Sequence, residues 1–265
     1  MKYLISAILI YLFFGLILFL LQRKILFNTS GIPKKPKEYG LNNVEEIMIN
    51  TKDGLNLLSW YSRPLNNNPI LVYFHGNSFD IGERAYRIKR YIDRGWGVLL
   101  LSWRGYSGNL GNPTEKNLYL DAEAAIDWVK NKLNCDYKDI IIYGESLGSG
   151  VAVEFGTRYK FKSIILEAPF TSIIDIAKKR YFIYPVKQLI FDSFDNYSKI
   201  DKVKSPILII SGKKDEIVPH SHSKKLYFKA NYPKEYLFID EAIHNNLYDF
   251  NIDKDVINFN LKKWK

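Results

Sequence analysis

The sequence contains one serine in a setting that could make it a nucleophile. Ser146 lies in the run GESLG, between Gly144 and Gly148, directly after the apolar run DIIIY and before the small-residue run SGVAV. A sharp turn from a strand into a helix exposes such a serine, and the flanking glycines remove the Cβ atoms that would clash there. The pattern predicts a nucleophilic serine, with an ordinary strand-to-helix turn as the alternative.

A serine hydroxyl is a weak nucleophile until a base takes its proton. Among the four histidines, His244 is the best candidate, because it lies in a loop just past the apolar run YLFID. Asp215 follows the apolar run SPILIISG and is the predicted acid that orients the histidine. The chain order serine, aspartate, histidine is that of α/β-hydrolases. We therefore expect Ser146, Asp215 and His244 to form a triad at the carboxyl ends of parallel strands, where open α/β sheets bind ligands.

Three other carboxylates are weaker candidates for the acid. Glu216 follows Asp215 directly, and we expect its side chain to point away from the histidine. Glu145 and Glu167 lie near the ends of predicted strands, where pairing with a neighbouring lysine or arginine is the expected role. We assign none of these three glutamates to catalysis.

The remaining histidines also have structural interpretations. His220 and His222 lie at the start of a predicted helix, where solvated or capping roles are expected. His75 precedes the loop that follows the third predicted strand, and we expect it to brace that loop.

Acyl transfer passes through a tetrahedral intermediate whose oxyanion needs backbone N–H donors. One predicted donor is the N–H of Leu147, directly after the nucleophile. The other is the N–H of Asn77, in the loop after the third predicted strand. Gly76 precedes Asn77 and allows the backbone to approach the substrate closely.

Eight runs rich in isoleucine, valine and leucine are candidate strands. They cover residues 44–51, 55–62, 69–75, 97–103, 139–144, 161–168, 205–212 and 234–240. Several are apolar without alternation, which predicts strands covered by helices on both faces. Helical periods over residues 81–92 and 118–133 lie between them, the second after the capping signal Pro113-Thr114. The predicted fold class is α/β, with an eight-stranded, mostly parallel, doubly wound sheet that begins with a hairpin.

One stretch interrupts this alternation. Residues 172–204 have a helical pattern outside the regular rhythm, and their length suits a small cap. The predicted organisation is an N-terminal anchor over residues 1–24, a connector over residues 25–43 and an α/β-hydrolase domain over residues 44–265.

The N-terminal segment is apolar over residues 3–21 and would span about 29 Å as a helix, close to the hydrocarbon thickness of a bilayer. No small-residue cleavage pattern follows it, which favours an uncleaved single-pass transmembrane helix over a removed signal peptide. Basic residues beyond the segment, including Arg23 and Lys24, outnumber those before it. The positive-inside tendency then favours a cytoplasmic position for the large domain.

Composition narrows the functional classes further. The net charge is +10, but the 38 basic residues are interleaved with 28 acidic ones and form no arginine-rich arm. We therefore expect no nucleic-acid partner, and read the charge as proximity to an anionic bilayer or as genome composition. The single cysteine, Cys135, excludes a disulfide scaffold and a cysteine-rich zinc module. No metal or cofactor is expected.

The chain resembles the membrane-anchored α/β-hydrolase-domain proteins, a group often labelled serine-aminopeptidase-like hydrolases. The matching motifs lie in the runs 75–77, 104–108, 121–125, 143–148, 167–172, 211–219 and 243–245. The resemblance covers most of residues 44–250 and carries the triad and oxyanion positions over directly. It departs at Ser149, where relatives often have a second glycine, and in the cap, which matches no family pattern.

The resemblance implies a serine hydrolase that cleaves an ester or thioester bond in a small-molecule, lipid or acylated substrate. The apolar runs YFIYPV and LIF in the cap allow two interpretations, an acyl-binding wall at the membrane or a cap packed on the core. A serine aminopeptidase or amidase on the same fold is the enzymatic alternative. A scaffold without activity is the third class, which the complete triad disfavours.

Overall fold

The computed structural model describes residues 2–264. Its eight strands are β1 (Glu45–Asn50), β2 (Asn56–Ser62), β3 (Ile70–Phe74), β4 (Gly97–Leu101), β5 (Ile140–Glu145), β6 (Ser163–Glu167), β7 (Ile207–Gly212) and β8 (Lys234–Ile239). They form one sheet in the order β1-β2-β4-β3-β5-β6-β7-β8. The pairs β1–β2 and β2–β4 are antiparallel, and all other neighbours are parallel. The predicted fold class is confirmed.

The strands form because their sequences are rich in β-branched and aromatic residues that pack well on a pleated surface. Every residue of the five central strands, β3 to β7, is buried. Their continuous apolar runs predicted this, because strands covered by helices on both faces need no polar side. Each strand lies within two residues of its predicted limits. β8 lies at one edge of the sheet and is only partly buried.

Helices cover both faces of this sheet. The α-helices of the described residues are α1 (Lys2–Leu26), α2 (Ala85–Ile92), α3 (Glu115–Leu133), α4 (Leu147–Arg158), α5 (Ile173–Arg180), α6 (Val186–Leu189), α7 (Ser221–Lys229) and α8 (Ile252–Leu261). The helices α3, α4 and α7 contribute to the core on one face, and α2 and α8 contribute to the core on the other.

The two helical periods read from the sequence differ slightly from the observed helices. The side chain of Thr114 accepts a hydrogen bond from the N–H of Asn117 at 3.1 Å, so the predicted capping signal starts α3. The other period begins as a 3-10 turn, Ile81–Arg84, and becomes α-helical only at Ala85. Asp80 caps that turn by accepting a hydrogen bond from the N–H of Gly82 at 2.8 Å.

The short helices α5 and α6 lie between β6 and β7, in the stretch where the sequence predicted a small cap. Ser172 caps α5 by accepting a hydrogen bond from the N–H of Asp175 at 3.0 Å. A proline, Pro185, stands directly before α6. We call residues 172–204 the cap segment from here on.

The helix α1 is apolar along almost its whole length. Among residues 2–264 it is the one helix long and apolar enough to cross a bilayer, with a mean hydropathy of 2.9 over an 18-residue stretch. These properties suit a membrane span and equally suit a signal sequence. The chain enters the core directly after α1, because Phe27 is buried and Asn28 pairs with Ser78 in a parallel bridge.

Candidate active site

Ser146 lies in the turn between β5 and α4 in a strained backbone conformation. Its φ of 48° and ψ of −109° lie in a region that residues with a Cβ atom rarely adopt. A Cβ atom at Gly148 would lie 2.0 Å from the carbonyl oxygen of Phe74, and one at Gly144 would lie 2.6 Å from the carbonyl oxygen of Gly148. The turn therefore requires glycine on both sides of the serine.

The three residues predicted as a triad meet in one hydrogen-bonded chain. Nδ1 of His244 lies 2.7 Å from Oδ2 of Asp215, and Nε2 lies 3.0 Å from Oγ of Ser146. The other carboxylate oxygen of Asp215 accepts hydrogen bonds from the N–H groups of Ile217 and Val218 at 2.9 and 2.8 Å. A neutral imidazole protonated on Nδ1 would donate to the aspartate and accept from the serine hydroxyl. This is the geometry of a nucleophile, a base and an orienting acid.

The sheet topology brings these side chains together although they are far apart in the chain. Ser146 follows β5, Asp215 follows β7 and His244 follows β8. Because these strands are parallel, their carboxyl ends share one edge of the sheet, where open α/β sheets bind ligands.

The weaker candidates take other positions. Glu216 is exposed, and Asp215 rather than Glu216 contacts the histidine. The ring of His220 packs 5.2 Å from that of Phe238. The prediction of a solvated or capping role is wrong for His222. Its side chain is half-buried and lines a cavity that also contains Ser146. The Nδ1 atom of His222 lies 2.8 Å from the hydroxyl oxygen of Thr171.

His75 braces the loop after β3, as the sequence indicated. Its Nδ1 lies 2.7 Å from the carbonyl oxygen of Gly76, and its Nε2 accepts from the N–H of Trp103 at 3.4 Å. The indole N–H of Trp103 donates to the carbonyl oxygen of His75 at 3.0 Å. Burial, with the nearby Arg84 guanidinium, lowers the pKa of His75 to about 3, so the ring is neutral at pH 7.

The two predicted oxyanion donors flank the serine. Asn77, Ser146 and Leu147 line the same cavity. The carbonyl oxygen of Asn77 accepts hydrogen bonds from the N–H of Asn28 and the hydroxyl of Tyr106, both at 3.0 Å. Within residues 2–264, neither the Asn77 N–H nor the Leu147 N–H has a hydrogen-bond acceptor. Both groups are therefore free to donate to a bound ligand.

Comparison with known proteins agrees with this fold. A family model described as the prolyl oligopeptidase family matches residues 95–239, which is more than half of the chain. The chain belongs to this family of α/β-hydrolases. An uncharacterized protein of Mycobacterium tuberculosis is 32% identical over 236 residues, which cover 88% of this chain and 84% of that protein. The alpha/beta hydrolase domain-containing protein 17B of Homo sapiens is 34% identical over 209 residues, covering 77% and 70%.

A solved structure shows the same fold at lower sequence identity. An esterase of Pyrococcus furiosus superposes with a TM-score of 0.71 over 89% of this chain and 96% of its own, at 20% identity. The resemblance to α/β-hydrolases that the sequence motifs indicated is confirmed by the family match and by the fold.

A buried ion-pair cluster lies beneath the active site of this hydrolase. Its four members are Arg84, Arg87, Glu145 and Glu167. Arg84 makes two hydrogen bonds to the carboxylate of Glu145, at 2.9 and 3.1 Å. Arg87 lies 3.0 Å from Glu167 and 3.5 Å from Glu145. The side chains of all four are at most 10% exposed. The expected pairing of both glutamates with basic residues is confirmed.

The cluster is tied through the backbone to the loops that carry Ser146 and His244. Glu145 directly precedes Ser146, whose N–H donates to the carbonyl oxygen of Glu167 at 2.8 Å. Arg87 also donates to the carbonyl oxygen of Asn245, the neighbour of His244, at 3.4 Å. The cluster therefore holds the nucleophile turn and the histidine loop in one framework.

Hydroxyl groups complete the cluster. Tyr73 donates to Glu145 at 3.0 Å, and Tyr143 donates to Glu167 at 2.6 Å. Burial alone would raise the pKa of Glu145, but the guanidinium groups of Arg84 and Arg87 hold it well below its usual range. The two arginines were not predicted, although they lie three residues apart within the helical period over residues 81–92, on the same side as its apolar stripe.

The hydrolase has a cavity of about 630 Å³ that opens beside Ser146. Residues of α1 and of the cap segment form most of its lining, including the apolar side chains of Leu18, Ile173 and Ile176. Cavities of this size suit a small molecule or one chain of a larger one. Within residues 2–264, no group of three or more histidine, cysteine, aspartate or glutamate side chains is placed to hold a metal ion.

Proposed function

We propose that this hydrolase cleaves acyl esters or thioesters through an acyl-enzyme intermediate. His244 takes the proton of the Ser146 hydroxyl as Oγ attacks the acyl carbon, while Asp215 orients the imidazole. The N–H groups of Asn77 and Leu147 stabilise the oxyanion. The tetrahedral intermediate collapses as the bond to the alcohol or thiol breaks, and His244 protonates that leaving group. Water then releases the acid by the same steps and restores the free serine.

One observation carries this proposal. The hydrogen-bonded chain from Asp215 through His244 to Ser146 opens into a mainly apolar cavity. A nucleophile beside such a surface favours a substrate whose acyl part is apolar. The backbone strain at Ser146 agrees with a catalytic role, because strained residues persist where the surrounding structure holds them for function.

An aminopeptidase or amidase is the second candidate, favoured by the family model that the chain matches. Such an enzyme needs a free carboxylate near the serine to hold the α-amine of a peptide. Glu216 is exposed and lines the cavity, whereas Asp192 is paired with Arg23 and Asp175 accepts a hydrogen bond from Thr171. The mainly apolar surface of the cavity supports the acyl substrate over the peptide.

A fluorophosphonate probe tests the nucleophile. We expect the full-length protein to be labelled and the Ser146→Ala variant to remain unlabelled. Labelling that does not depend on Ser146 would overturn the assignment of the serine. Turnover of p-nitrophenyl esters and of aminoacyl p-nitroanilides then separates the two substrate classes, and faster cleavage of the anilides would favour the amidase.

The same proposal includes the membrane. We propose that residues 1–24 are a single-pass anchor, that residues 25–43 connect it to the hydrolase domain over residues 44–265, and that this domain lies on the cytoplasmic side. The length and hydropathy of α1 support the anchor. Retention of the full-length chain in membranes after alkaline carbonate extraction is the expected result. Release of a chain shortened by the length of α1 would indicate a signal peptide instead.

A further inference from the structure

One face of α1 lines the cavity that contains Ser146. The lining residues of α1 are Gly15, Leu18, Phe19, Gln22, Arg23, Ile25 and Leu26. Spacings of three and four residues place them on one side of the helix. On the other side, Leu16 is 55% exposed and Leu20 is 68% exposed. The helix therefore has one face towards the catalytic cavity and another that is free to contact lipid.

Close contacts hold this face of α1 against the cap segment. The amide of Gln22 donates to the carbonyl oxygen of Leu189 at 3.1 Å and accepts from the N–H of Phe191 at 3.0 Å. Gly15 allows the ring of Tyr184 to pack on the helix backbone, since a Cβ atom there would lie 2.9 Å from the ring. A helix that only anchors the chain in lipid needs none of these contacts.

The end of α1 is bonded directly to the loop that carries a proposed oxyanion donor. The side-chain amide of Asn77 donates to the carbonyl oxygen of Leu26 at 3.1 Å. The N–H of Asn28 donates to the carbonyl oxygen of Asn77 at 3.0 Å. The inner face of α1 thus begins beside the reacting atoms and leads away from them.

The length of this face matches an acyl chain. From Leu26 back to Gly15 the helix rises about 16 Å. The hydrocarbon of one leaflet is roughly 15 Å deep, half the thickness of the bilayer core. A chain whose carbonyl carbon lies at Ser146 and which follows α1 would therefore extend across about one leaflet.

We infer that the inner face of α1 is a wall of an acyl-binding channel. Its occupant is a single long acyl chain of an ester or thioester that resides in the bilayer. The chain lies between Gly15, Leu18 and Phe19 of the helix and the apolar side chains of the cap segment, with its carbonyl group at Ser146. The helix that anchors the protein then also determines which acyl chains are cleaved. This inference rests on the proposed function.

The first test compares two substitutions on opposite faces of α1. The full-length protein is reconstituted in phosphatidylcholine nanodiscs and assayed with p-nitrophenyl palmitate and p-nitrophenyl acetate. Leu18→Trp fills the channel, and we expect the ratio of kcat/KM for palmitate to that for acetate to fall about tenfold or more. Leu16→Trp makes the same change on the exposed face, and we expect that ratio to stay within about twofold of the unsubstituted protein. Equal ratios in the two variants would overturn the inference.

The second test uses the unsubstituted protein and so does not depend on a variant that folds. A hexadecyl fluorophosphonate with a diazirine near the end of its chain reacts with Ser146 and is then photolysed. We expect crosslinks, mapped by peptide mass spectrometry, to residues 15–19 of α1. Labelling of Ser146 without any crosslink to α1 would overturn the inference and leave the proposed function intact. Failure of the probe to label Ser146 would instead contradict the proposed function.

Discussion

The sheet region beneath Ser146 and the α1 side of the cavity are built from different interactions. On the sheet side, Arg84, Arg87, Glu145 and Glu167 form ion pairs whose side chains are at most 10% exposed. On the helix side, aromatic rings supply much of the contact, as in the stack of Tyr11 on Tyr184 with ring centres 4.7 Å apart. The ion pair there, between Arg23 and Asp192, has an arginine side chain that is 50% exposed.

This difference indicates a division of labour. Buried ion pairs with complete hydrogen bonding fix geometry, and the reacting atoms of a serine hydrolase must be held to within a fraction of an ångström. Aromatic and aliphatic contacts are not directional, so a wall built from them can accommodate chains of different shape. The sheet side therefore suits catalysis, and the helix side suits substrate choice.

The largest expected effect is on the sheet side and concerns the acid of the triad. Asp215→Asn keeps the size of the side chain but favours the wrong tautomer of His244, and we expect kcat to fall about 10⁴-fold. The loss should be equal for palmitate and acetate esters, whereas Leu18→Trp on the helix side changes their ratio. Steady-state kinetics of both esters provide the measurement.

Asp253→Asn is the matched control for that variant. Asp253 is buried like Asp215, but its partners are Arg90 and Arg94, and it lies in α8 away from the cavity. We expect this variant to retain its kcat. A similar loss of kcat in both variants would mean that the effect of Asp215→Asn arises from folding, and would contradict its role in the triad.

The next effect compares one broken ion pair on each side. Glu145→Gln leaves two buried guanidinium groups with one carboxylate, and we expect it to lower the free energy of unfolding by about 3–5 kcal/mol. Arg23→Gln breaks the half-exposed pair with Asp192 and should cost about 1 kcal/mol or less. Urea unfolding in detergent, followed by tryptophan fluorescence, measures both losses. Because α1 contains no tryptophan, the fluorescence reports unfolding of the hydrolase domain. Equal losses would remove the proposed difference between the two sides.

The smallest expected effect is a pH dependence of the free energy of unfolding. It originates at His75, which lies beneath the loop that contains Asn77. The pKa of His75 is about 3 in the folded chain and 6.5 in an unfolded one. The unfolded chain therefore binds one more proton between these values, and the free energy of unfolding falls as the pH falls from 6.5 towards 3. One proton corresponds to a slope of about 1.4 kcal/mol per pH unit.

His75→Gln should reduce that slope, measured from urea unfolding between pH 6 and pH 5. His222 is the control on the cavity surface. Burial also lowers its pKa, but the side chain is only half-buried, so His222→Gln should reduce the slope less. If the two variants reduced the slope equally, the burial of His75 would not be its main source.

Much of the fold was predictable because local sequence patterns coincide with the tertiary environment. The apolar runs that became β3 to β7 contain no alternation, and both faces of these strands are indeed covered. The capping residue Thr114 and the glycine Gly144 before Ser146 act within a few residues of themselves, so their roles could be read from the chain.

Contacts between distant segments were not predictable in the same way. His222 follows a proline at the start of a helix, and nothing nearby in the chain places its ring against Thr171 and the cavity. The arginines of the buried cluster reach carboxylates that lie 61 and 80 residues away along the chain. Such pairs depend on how the segment over residues 81–92, which contains both arginines, packs against the sheet.

The sequence by itself determined the class of fold, the turn at Ser146 and the candidates for the nucleophile, acid and base, because each depends on a local pattern or on chain order. It also determined that the first helix is apolar enough to enter a membrane. Only the tertiary structure decided that one face of this helix lines the cavity beside Ser146. That contact joins residues more than a hundred positions apart, and the apolar pattern of α1 is the same whether its neighbour is lipid or the cap segment.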